Sequence, residues 1–326
     1  MVTFSFIQKD FVSWLKEFAS NLHAPMQGND LILPASMGQG RIIAQSPSRD
    51  MSFIVMDFTL NDDLLLVRQP SKDYGILLFF NQVEVSEFFR IRSGKEELRE
   101  TTKSRSNVFL SSTNMELELQ YSKGSSLKRV GIYFSPVMVR KFVKSDMQLF
   151  LSVYTDQGIN NVNRETINFE LKSILDEIYK TSLKDDFGRL VLQNRVLMLT
   201  EKFLHNLLAK EVKGEKKNYL KKEDVEGIQT VERILTQSDL EKFPSIEALS
   251  KMAMMSSTKL KTKFKEVYGM KLYEYYNRHR LLKAKDMITI GRTTVKDAAY
   301  SIGFSNLSNF SRAFKKEFGV LPGQIK

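Results

Sequence analysis

The chain has 326 residues, no cysteine and a net charge of +11, and 42% of its residues are hydrophobic. The absence of cysteine excludes disulfides, thiolate nucleophiles and cysteine-ligated zinc sites. No apolar run reaches the ~18–20 residues of a membrane-spanning helix, and no basic segment precedes an apolar stretch at the N-terminus. We therefore expect a cytoplasmic protein of two domains with no membrane association.

The first elements are an amphipathic helix and then a series of short strands. Phe11, Leu15, Phe18 and Leu22 recur at helical spacing and predict a helix over residues 8–23. From about 30 to 134, short apolar or alternating runs lie between turn-forming residues, which predicts strands. The runs are Ser52–Leu60, Tyr74–Phe80, Val83–Ile91, Val108–Leu110, Met115–Tyr121 and Arg129–Phe134. Short strands at this spacing favour a β-sandwich or a small barrel.

The strand-rich segment offers little chemistry. Seven aromatic residues of this segment could line an apolar pocket or belong to the hydrophobic core, and we favour the core. They are Phe53, Phe58, Tyr74, Phe79, Phe80, Phe88 and Phe89. The three histidines of the chain, His23, His205 and His279, do not have the spacing of metal ligands. No Ser/His/Asp arrangement or phosphate-binding glycine loop is present. We expect no catalytic site, no metal site and no cofactor.

Helical patterns follow from about 136 to 210. They cover about 136–151, Thr166–Leu183 and Asp186–Lys210. The last helix is apolar on more than one face, so it either packs on both the strands and a second subunit or is buried within one domain. The charged stretch after it predicts a linker over residues 211–224.

Two segments near the C-terminus, Ser245–Gly269 and Thr294–Gly319, resemble each other. Phe264 aligns with Phe314, and both segments end at a glycine. Each has a Ser or Thr cap, a short helix, a tight turn and a second capped helix with core residues four apart. The duplication predicts two helix-turn-helix units, at about 245–269 and 294–319, in a domain covering 225–326.

The positive charge is concentrated in the same region. Residues 221–326 hold 20 lysines and arginines against 12 acidic residues, whereas the other 220 residues hold 29 against 26. Concentrated positive charge favours polyanions, because neutralising phosphates releases bound counterions. Together with the two units, this charge predicts double-stranded DNA as the partner.

Residues 225–326 resemble the AraC/XylS family of transcription regulators. The resemblance is carried by Ala298, Ile302-Gly303-Phe304, Phe310, Phe314–Gly319 and Pro322, and by Tyr275, Arg280 and Ala284 in the helix between the units. It implies that this helix, Tyr273–Thr289, holds the two units so that their recognition helices enter successive major-groove segments. It also implies a sensing and dimerisation domain over residues 1–210, often a cupin-like barrel.

The fold class expected from these observations is α+β. A strand-rich N-terminal domain, a cupin-like barrel or a sandwich with flanking helices, precedes an all-α domain of two helix-turn-helix units joined by a long helix.

The outward residues of the two recognition helices are the candidates for reading base edges: Ser257, Thr258, Lys261, Thr262, Ser308, Asn309, Ser311 and Arg312. The candidates for phosphate contacts are Lys259, Lys263, Lys265, Lys315 and Lys316. Ser256 and Asn306 are expected to cap helices. Arg312 is the strongest base reader, because a guanidinium can bind guanine O6 and N7 together; a phosphate contact is its alternative.

The first unit departs from the family pattern. Met254 stands where the turn commonly has Gly, Thr262 where Arg is common, and Leu272 where Pro is common. We expect a strained or rearranged turn at Met254, and a first unit that reads its bases weakly or reads different ones.

These residues predict a sequence-specific transcription regulator and not an enzyme. A small-molecule effector in the N-terminal domain, a homodimer and a contact with RNA polymerase fit this interpretation. The alternative is a regulator controlled by a protein partner or by its abundance. An alkyl-transfer repair enzyme with the same DNA-binding module would need a nucleophilic cysteine, which the chain lacks.

Overall fold

The computed structural model describes residues 1–100, 104–138, 167–182, 186–212, 222–237, 242–289, 291 and 293–325. The chain divides into two compact units, Met1–Tyr219 and Leu220–Lys326. The first is strand-rich with helices around it, and the described part of the second is helical. The predicted α+β class is therefore confirmed. In the described residues, no helix is both long and apolar enough to cross a membrane.

The first unit has eleven strands among its described residues. They are β1 Val2–Ile7, β2 Asp30–Ile32, β3 Gly38–Ser48, β4 Met51–Leu60, β5 Leu64–Gln69, β6 Ile76–Glu84, β7 Phe89–Ser93, β8 Glu96–Glu100, β9 Ser104–Ser112, β10 Leu117–Tyr121 and β11 Ser126–Phe134. Its described helices are α1 Phe11–Asn21, α2 Phe169–Lys180 and α3 Asp186–Val212.

The strands form two sheets. The five-stranded sheet has the order β1-β5-β10-β7-β8, and only its β1–β5 pair is parallel. The six-stranded sheet has the order β2-β3-β4-β11-β6-β9 and is antiparallel throughout. Leu66 and Ile91 of the first sheet share a core with Met56 and Leu127 of the second, so the sheets pack face to face.

Both faces of the six-stranded sheet are buried, because side chains alternate along each strand. On β4, Ile54 and Met56 point into the core between the sheets, whereas Phe53 and Val55 point to the other side. That second side is covered by α2 and α3, whose buried residues include Leu175 and Val196. Continuous apolar runs such as Met51–Leu60 are the sequence signature of this double burial.

The helix α1 closes the core between the sheets. Its N-cap Asp10 accepts hydrogen bonds from the backbone N–H groups of Val12 and Ser13, at 2.8 and 2.9 Å. Its apolar face, which includes Trp14 and Phe18, is buried in that core. Phe11 reaches β11, where a Cβ added at Gly131 would lie 2.9 Å from the Phe11 ring.

Several predicted elements differ from the observed ones. The prediction of a single strand over Val83–Ile91 is wrong, because β6 ends at Glu84 and β7 begins at Phe89. The strand-rich segment also begins earlier than residue 30, with β1. The predicted helix over 136–151 lies mostly outside the described residues, as does the part of the predicted linker at 213–221.

The seven aromatic residues of the strand-rich segment have different roles. Phe53, Phe58 and Phe80 are buried core residues. Phe79 and Phe89 line a cavity of about 60 Å³ between the two sheets. Tyr74 and Phe88 are partly buried.

The helical unit, Leu220–Lys326, contains six helices in its described residues. They are α4 Lys222–Leu235, α5 Ile246–Met252, α6 Ser257–Tyr268, α7 Leu272–Thr289, α8 Val295–Ser301 and α9 Leu307–Phe318, and a 3₁₀ turn follows at Pro322–Gln324. The pairs α5–α6 and α8–α9 are the two predicted helix-turn-helix units, and α7 is the predicted connecting helix.

Candidate nucleic-acid interface

The first helix-turn-helix unit is formed by α5 and α6. Ser245 caps α5, its Oγ accepting from the N–H of Ala248 at 3.1 Å. Ser256 caps α6 in the same way, from the N–H of Lys259 at 3.3 Å. Leu260 and Phe264 on α6 are fully buried, and α6 ends at the left-handed Gly269. The buried pair orients α6 so that its opposite face is turned to solvent.

The second unit, α8 and α9, repeats this construction. Thr294 caps α8, accepting from the N–H of Asp297 at 3.1 Å and donating to its carboxylate at 2.6 Å. Asn306 caps α9, and its Oδ1 accepts from the N–H groups of Ser308 and Asn309. The predicted capping roles of Ser256 and Asn306 are confirmed. Phe310 and Phe314 are fully buried, as their counterparts in α6 are.

The two turns have the same backbone path despite different residues. In the second unit the turn residue is Gly303, with φ of 79°, and its N–H donates to the carbonyl oxygen of Tyr300 at 2.9 Å. In the first unit Met254 has φ of 51°, and its N–H donates to the carbonyl oxygen of Lys251 at 3.1 Å. Met254 therefore occupies a left-handed conformation that costs a residue with a Cβ about 1–2 kcal/mol. Of the two expected outcomes, a strained or a rearranged turn, the structure has the left-handed and therefore strained one.

The helix α4 belongs to the first unit. A Cβ added at Gly227 on α4 would lie 2.5 Å from the carbonyl oxygen of Ala253, so α4 crosses the turn in close contact. Glu232 on α4 accepts a hydrogen bond from the Tyr275 hydroxyl at 2.7 Å, which joins α4 to α7. Asp224 forms an ion pair with Lys259 at 2.6 Å, which joins α4 to α6.

Arg280 on the connecting helix α7 contacts the turn of the second helix-turn-helix unit. Nε of Arg280 donates to the carbonyl oxygen of Ile302, the residue before Gly303. The Arg280 guanidinium also lies 4.8 Å from the ring centroid of Phe304 and 4.9 Å from that of Tyr276. Burial lowers the pKa of Arg280 from its ordinary value. These contacts fix the turn of the second unit against α7.

The base-reading candidates of α6 differ in accessibility. Thr258, Lys261 and Thr262 are exposed. Ser257 is half-buried, and its Oγ lies 3.1 Å from Oγ of Ser250, with which it shares a hydrogen bond. Among the base-reading candidates of α6, the solvent-facing polar groups are therefore two hydroxyls and one ammonium.

The candidates of α9 present a different set of groups. Ser308, Asn309 and Arg312 are exposed, and Ser311 is half-buried. Nη2 of Arg312 donates to Oδ1 of Asn309 at 2.5 Å. This hydrogen bond joins the guanidinium to the amide, so the two side chains form one polar patch on the exposed face of α9.

The lysine candidates fall into two groups. Lys259 is paired with Asp224, and the half-buried Lys263 is paired with Glu266 at 2.7 Å. The others, Lys265, Lys315 and Lys316, are exposed. An exposed lysine can reach a phosphate without first giving up a carboxylate partner.

Two structural contributors were not predicted from the sequence. In the sequence, Gly227 is simply a residue of low helix propensity. The structure gives the reason for the glycine, because α4 crosses the turn too closely for a Cβ at this position. Asp224 falls at the end of the predicted linker, and its pairing with Lys259 depends on α4 beginning at Lys222. An acidic residue 35 positions before its partner gives no local signal.

The remaining polar residues do not assemble a metal site in the described parts of the chain, where no three His, Asp or Glu side chains converge. His23 and His205 are exposed, and His279 is half-buried.

Comparison with known proteins gives matches in the C-terminal region. A family model described as a helix-turn-helix domain matches residues 249–326. The HTH-type transcriptional activator RhaS of Escherichia coli is 32% identical over 80 residues, which are 24% of this chain and 29% of RhaS. The chain therefore matches under a third of the length of this curated relative.

Solved structures give two further likenesses. A probable AraC family transcriptional regulator from Rhodopseudomonas palustris is 30% identical, with 30% of this chain and 93% of that chain covered and a TM-score of 0.28. ToxT from Vibrio cholerae is 15% identical, with 85% and 97% covered and a TM-score of 0.30. Because both TM-scores are low, the assignment depends on the sequence matches. They confirm the predicted resemblance of the C-terminal region, and residues 249–326 form a helix-turn-helix domain of the AraC type.

Proposed function

We propose that this protein is a sequence-specific DNA-binding transcription regulator that inserts α6 and α9 into successive major-groove segments. The observation that carries the proposal is the pair of matching helix-turn-helix units joined by the 18-residue helix α7. At 1.5 Å per residue, α7 is about 27 Å long. That length is comparable to the ~34 Å between successive major-groove segments on one face of DNA.

The two recognition helices have unequal roles in this proposal. In α9, Arg312 and Asn309 offer the fork and amide geometries that read guanine and adenine. In α6, Thr258, Lys261 and Thr262 offer weaker discrimination, and Ser257 is engaged within the protein. Lys265, Lys315 and Lys316 contact phosphates. Lys259 and Lys263 do so after exchanging their present carboxylate partners.

The test compares Arg312→Ala with Lys316→Ala. Genomic fragments captured by the purified wild-type protein provide the specific DNA, and a scrambled fragment provides the reference. Fluorescence anisotropy over a range of salt concentrations measures both affinities. A base contact predicts that Arg312→Ala weakens specific binding about 10–100-fold and leaves binding to scrambled DNA unchanged. Lys316→Ala should weaken both alike and reduce the salt slope by about 1.

Two outcomes would contradict these assignments. Equal weakening on both DNAs by Arg312→Ala would make Arg312 a phosphate contact. A wild-type protein with the same affinity for every fragment would remove the proposed function altogether. Arg92→Ala serves as the matched control, because Arg92 lies on β7 of the strand-rich unit and its side chain is half-exposed.

The strand-rich unit is proposed to bind a cytoplasmic small-molecule effector that shifts the population of DNA-competent protein. The cavity of about 60 Å³ between the sheets supports this proposal. Control by a protein partner or by abundance is the second candidate, and it predicts that no small molecule changes DNA affinity. In both proposals the protein acts by binding and not by catalysis.

The same unit is proposed to form a homodimer through α3. One face of α3 is buried on the six-stranded sheet, whereas Phe187, Leu190, Val191 and Leu197 form an exposed apolar stripe on the opposite face. An exposed apolar stripe of this kind marks an interaction surface. A dimer would present two DNA-binding domains, and a contact with RNA polymerase would then follow from promoter binding.

Light scattering after size-exclusion chromatography tests the dimer. Leu190→Lys should shift the molecular mass from twice that of the chain to that of one chain. Gln193→Lys, which adds the same charge outside the stripe, should leave the mass unchanged. A wild-type protein that is monomeric at micromolar concentration would contradict the dimer, as would a Leu190→Lys variant that remains dimeric.

A further inference from the structure

Two arginines are buried inside the strand-rich unit. Arg68 on β5 is 3% exposed and Arg129 on β11 is 6% exposed. They come from opposite sheets, and both line the cavity of about 60 Å³. Arginine is almost never fully buried unless it is paired, because a charge loses its hydration in an apolar interior. The partners of these two side chains therefore decide what the cavity does.

The partners of both arginines are neutral. Nε of Arg129 donates to Oδ1 of Asn81 at 2.6 Å, and its Nη2 donates to the Tyr121 hydroxyl at 2.7 Å. Nε of Arg68 donates to the carbonyl oxygen of Met115 at 3.1 Å, and its Nη2 donates to Oγ of Ser111 at 2.5 Å. Within the described residues, neither guanidinium forms an ion pair with a carboxylate, and neither uses Nη1.

The two positive charges also disfavour each other. Burial, together with the smaller effect of the nearby charge of Arg129, lowers the pKa of Arg68 to about 9. Like charges in an interior of low dielectric constant interact more strongly than they do in water. The lining of the cavity therefore contributes two positive charges whose hydrogen-bond partners are neutral, and an anion between the guanidiniums would offset their repulsion.

The position of Arg129 is set by a polar ladder across three strands. Asn81 on β6 lies opposite Arg129 on β11 and opposite Asn107 on β9. Nδ2 of Asn81 donates to Oδ1 of Asn107 at 2.9 Å, so Oδ1 of Asn81 is turned towards Arg129. The guanidinium also lies 5.2 Å from the ring centroid of Phe79. An arrangement held from several sides is preorganised and does not need the ligand to form.

We propose that this cavity binds a small organic monocarboxylate whose anionic group lies between Arg68 and Arg129. The fork of each guanidinium matches the two oxygens of a carboxylate. The rest of the lining is mostly apolar and includes Phe11, Trp14 and Phe109, which suits a short hydrocarbon body. A neutral polyol would leave both charges uncompensated, and a phosphate would place no apolar group against these walls.

The size of the cavity limits the length of the ligand. The cavity of about 60 Å³ is several times the ~10–15 Å³ that one buried water molecule needs. It is therefore suited to a carboxyl group with one to a few further carbons and not to a large ligand. The inference rests on the proposed effector-responsive function and gives the effector its chemical class.

The test titrates the full chain with sodium propionate and follows Trp14 fluorescence. Trp14 is the single tryptophan of the chain and lines the cavity, so its emission reports the occupied site directly. Propionate is expected to give a saturable change and to raise the Tm of the strand-rich unit. Propionamide, which has the same shape without the charge, should bind at least 10-fold more weakly. Sodium chloride and sodium phosphate at equal ionic strength should give neither response.

Three variants connect the response to the arginines. Arg68→Met and Arg129→Met should each weaken propionate binding at least 10-fold, whereas the half-exposed control Arg92→Met should not change it. Asn81→Asp places a carboxylate at the oxygen now 2.6 Å from Nε of Arg129. It should raise the Tm without propionate and abolish the propionate response. This third variant tests the charge argument even where the methionine variants fail to fold.

Several results would overturn the proposal. Equal responses to propionate and propionamide would make the site a neutral pocket, and an equal response to phosphate or chloride would make it an inorganic anion site. An Asn81→Asp variant with a lower Tm and an intact propionate response would remove the arginine pair from the argument.

Failure of the carboxylate site and failure of the proposed function give different results. A saturable Trp14 response without any change in affinity for the captured DNA would support the carboxylate site and contradict its role as an effector site. Sequence-specific DNA binding without a Trp14 response would support the regulator function and contradict the carboxylate site.

Discussion

Met254 provides a direct test of how the first helix-turn-helix unit is built. The residue has φ of 51° and is 93% exposed, so its side chain packs against almost nothing. Its counterpart Gly303 has nearly the same backbone conformation, where glycine has no Cβ to clash. Met254→Gly therefore removes local strain from the folded state and sacrifices little packing.

The expected gain follows from two opposing contributions. Relief of the left-handed conformation contributes about 1–2 kcal/mol to the folded state. The greater freedom of glycine in the unfolded chain subtracts about 0.4–1 kcal/mol. We expect Met254→Gly to stabilise the helical unit, Leu220–Lys326, by about 0.5–1 kcal/mol. For a unit of this size, that corresponds to a rise in Tm of about 2–8 °C.

Hydrogen exchange of the full chain, measured by mass spectrometry, resolves this change locally. Peptides covering α5 and α6 should exchange more slowly in Met254→Gly, and thermal unfolding of the helical unit should move upwards. Gly303→Ala is the reciprocal control, and it should destabilise the second unit because φ of 79° is unfavourable for alanine. A Met254→Gly variant that is no more stable than the wild type would refute the assignment of strain to this turn.

Two further predictions concern the contacts that surround the turns. Gly227→Val should lower the free energy of unfolding of the helical unit by about 1–3 kcal/mol, because its Cβ would press on the carbonyl oxygen of Ala253; thermal unfolding followed by far-ultraviolet circular dichroism measures the loss. Arg280→Met should cost about 1–2 kcal/mol, since it removes the hydrogen bond to Ile302 and the ring contacts, and exchange of α9 peptides should accelerate. The exposed Lys296→Met should leave that exchange unchanged.

The helix-turn-helix units were predictable because their signals are local. A cap, a run of core residues four apart and a terminal glycine lie within about 25 residues of one another, and the chain presents the pattern twice. The glycine pattern at the turn predicts a strained or rearranged backbone at Met254, and the structure shows which of the two is present. The crossing of α4 over the turn is not predictable in this way, because the contact between Gly227 and Ala253 depends on tertiary packing and not on their spacing in the sequence.

The strand-rich unit was less predictable, since its organisation depends on long-range pairing. The alternation of Met115–Tyr121 predicted a strand, and β10 is present at Leu117–Tyr121. No local pattern predicts that β1 pairs in parallel with β5, nor that β10 lies between β5 and β7. The sequence predicts one strand over Val83–Ile91 because the turn between β6 and β7 contains the apolar residues Val85 and Phe88 and no glycine or proline.

The burial of Arg68 and Arg129 is indicated by their positions within apolar strands and not by the composition of the chain. Arg68 follows Leu64-Leu65-Leu66-Val67, and Arg129 precedes Val130 in a strand of apolar residues. In each strand the arginine occupies the same parity as residues that point inward, namely Leu66 and Leu127. A charged residue at an inward position of a buried strand is costly, so its presence indicates either a partner or a ligand. Only the fold shows that both arginines face one cavity.

The two ends of the molecule use arginine in opposite ways, and this difference is informative about mechanism. Arg312 is exposed and held by Asn309, so its fork is available to a large polyanion from solvent. Arg68 and Arg129 are buried among neutral partners, so their charge is available only to a molecule small enough to enter the cavity. Because an uncompensated buried charge destabilises the unit that contains it, binding of an anion there would change the stability of the strand-rich unit much more than a surface contact could. This change in stability is the response that the proposed effector site would give.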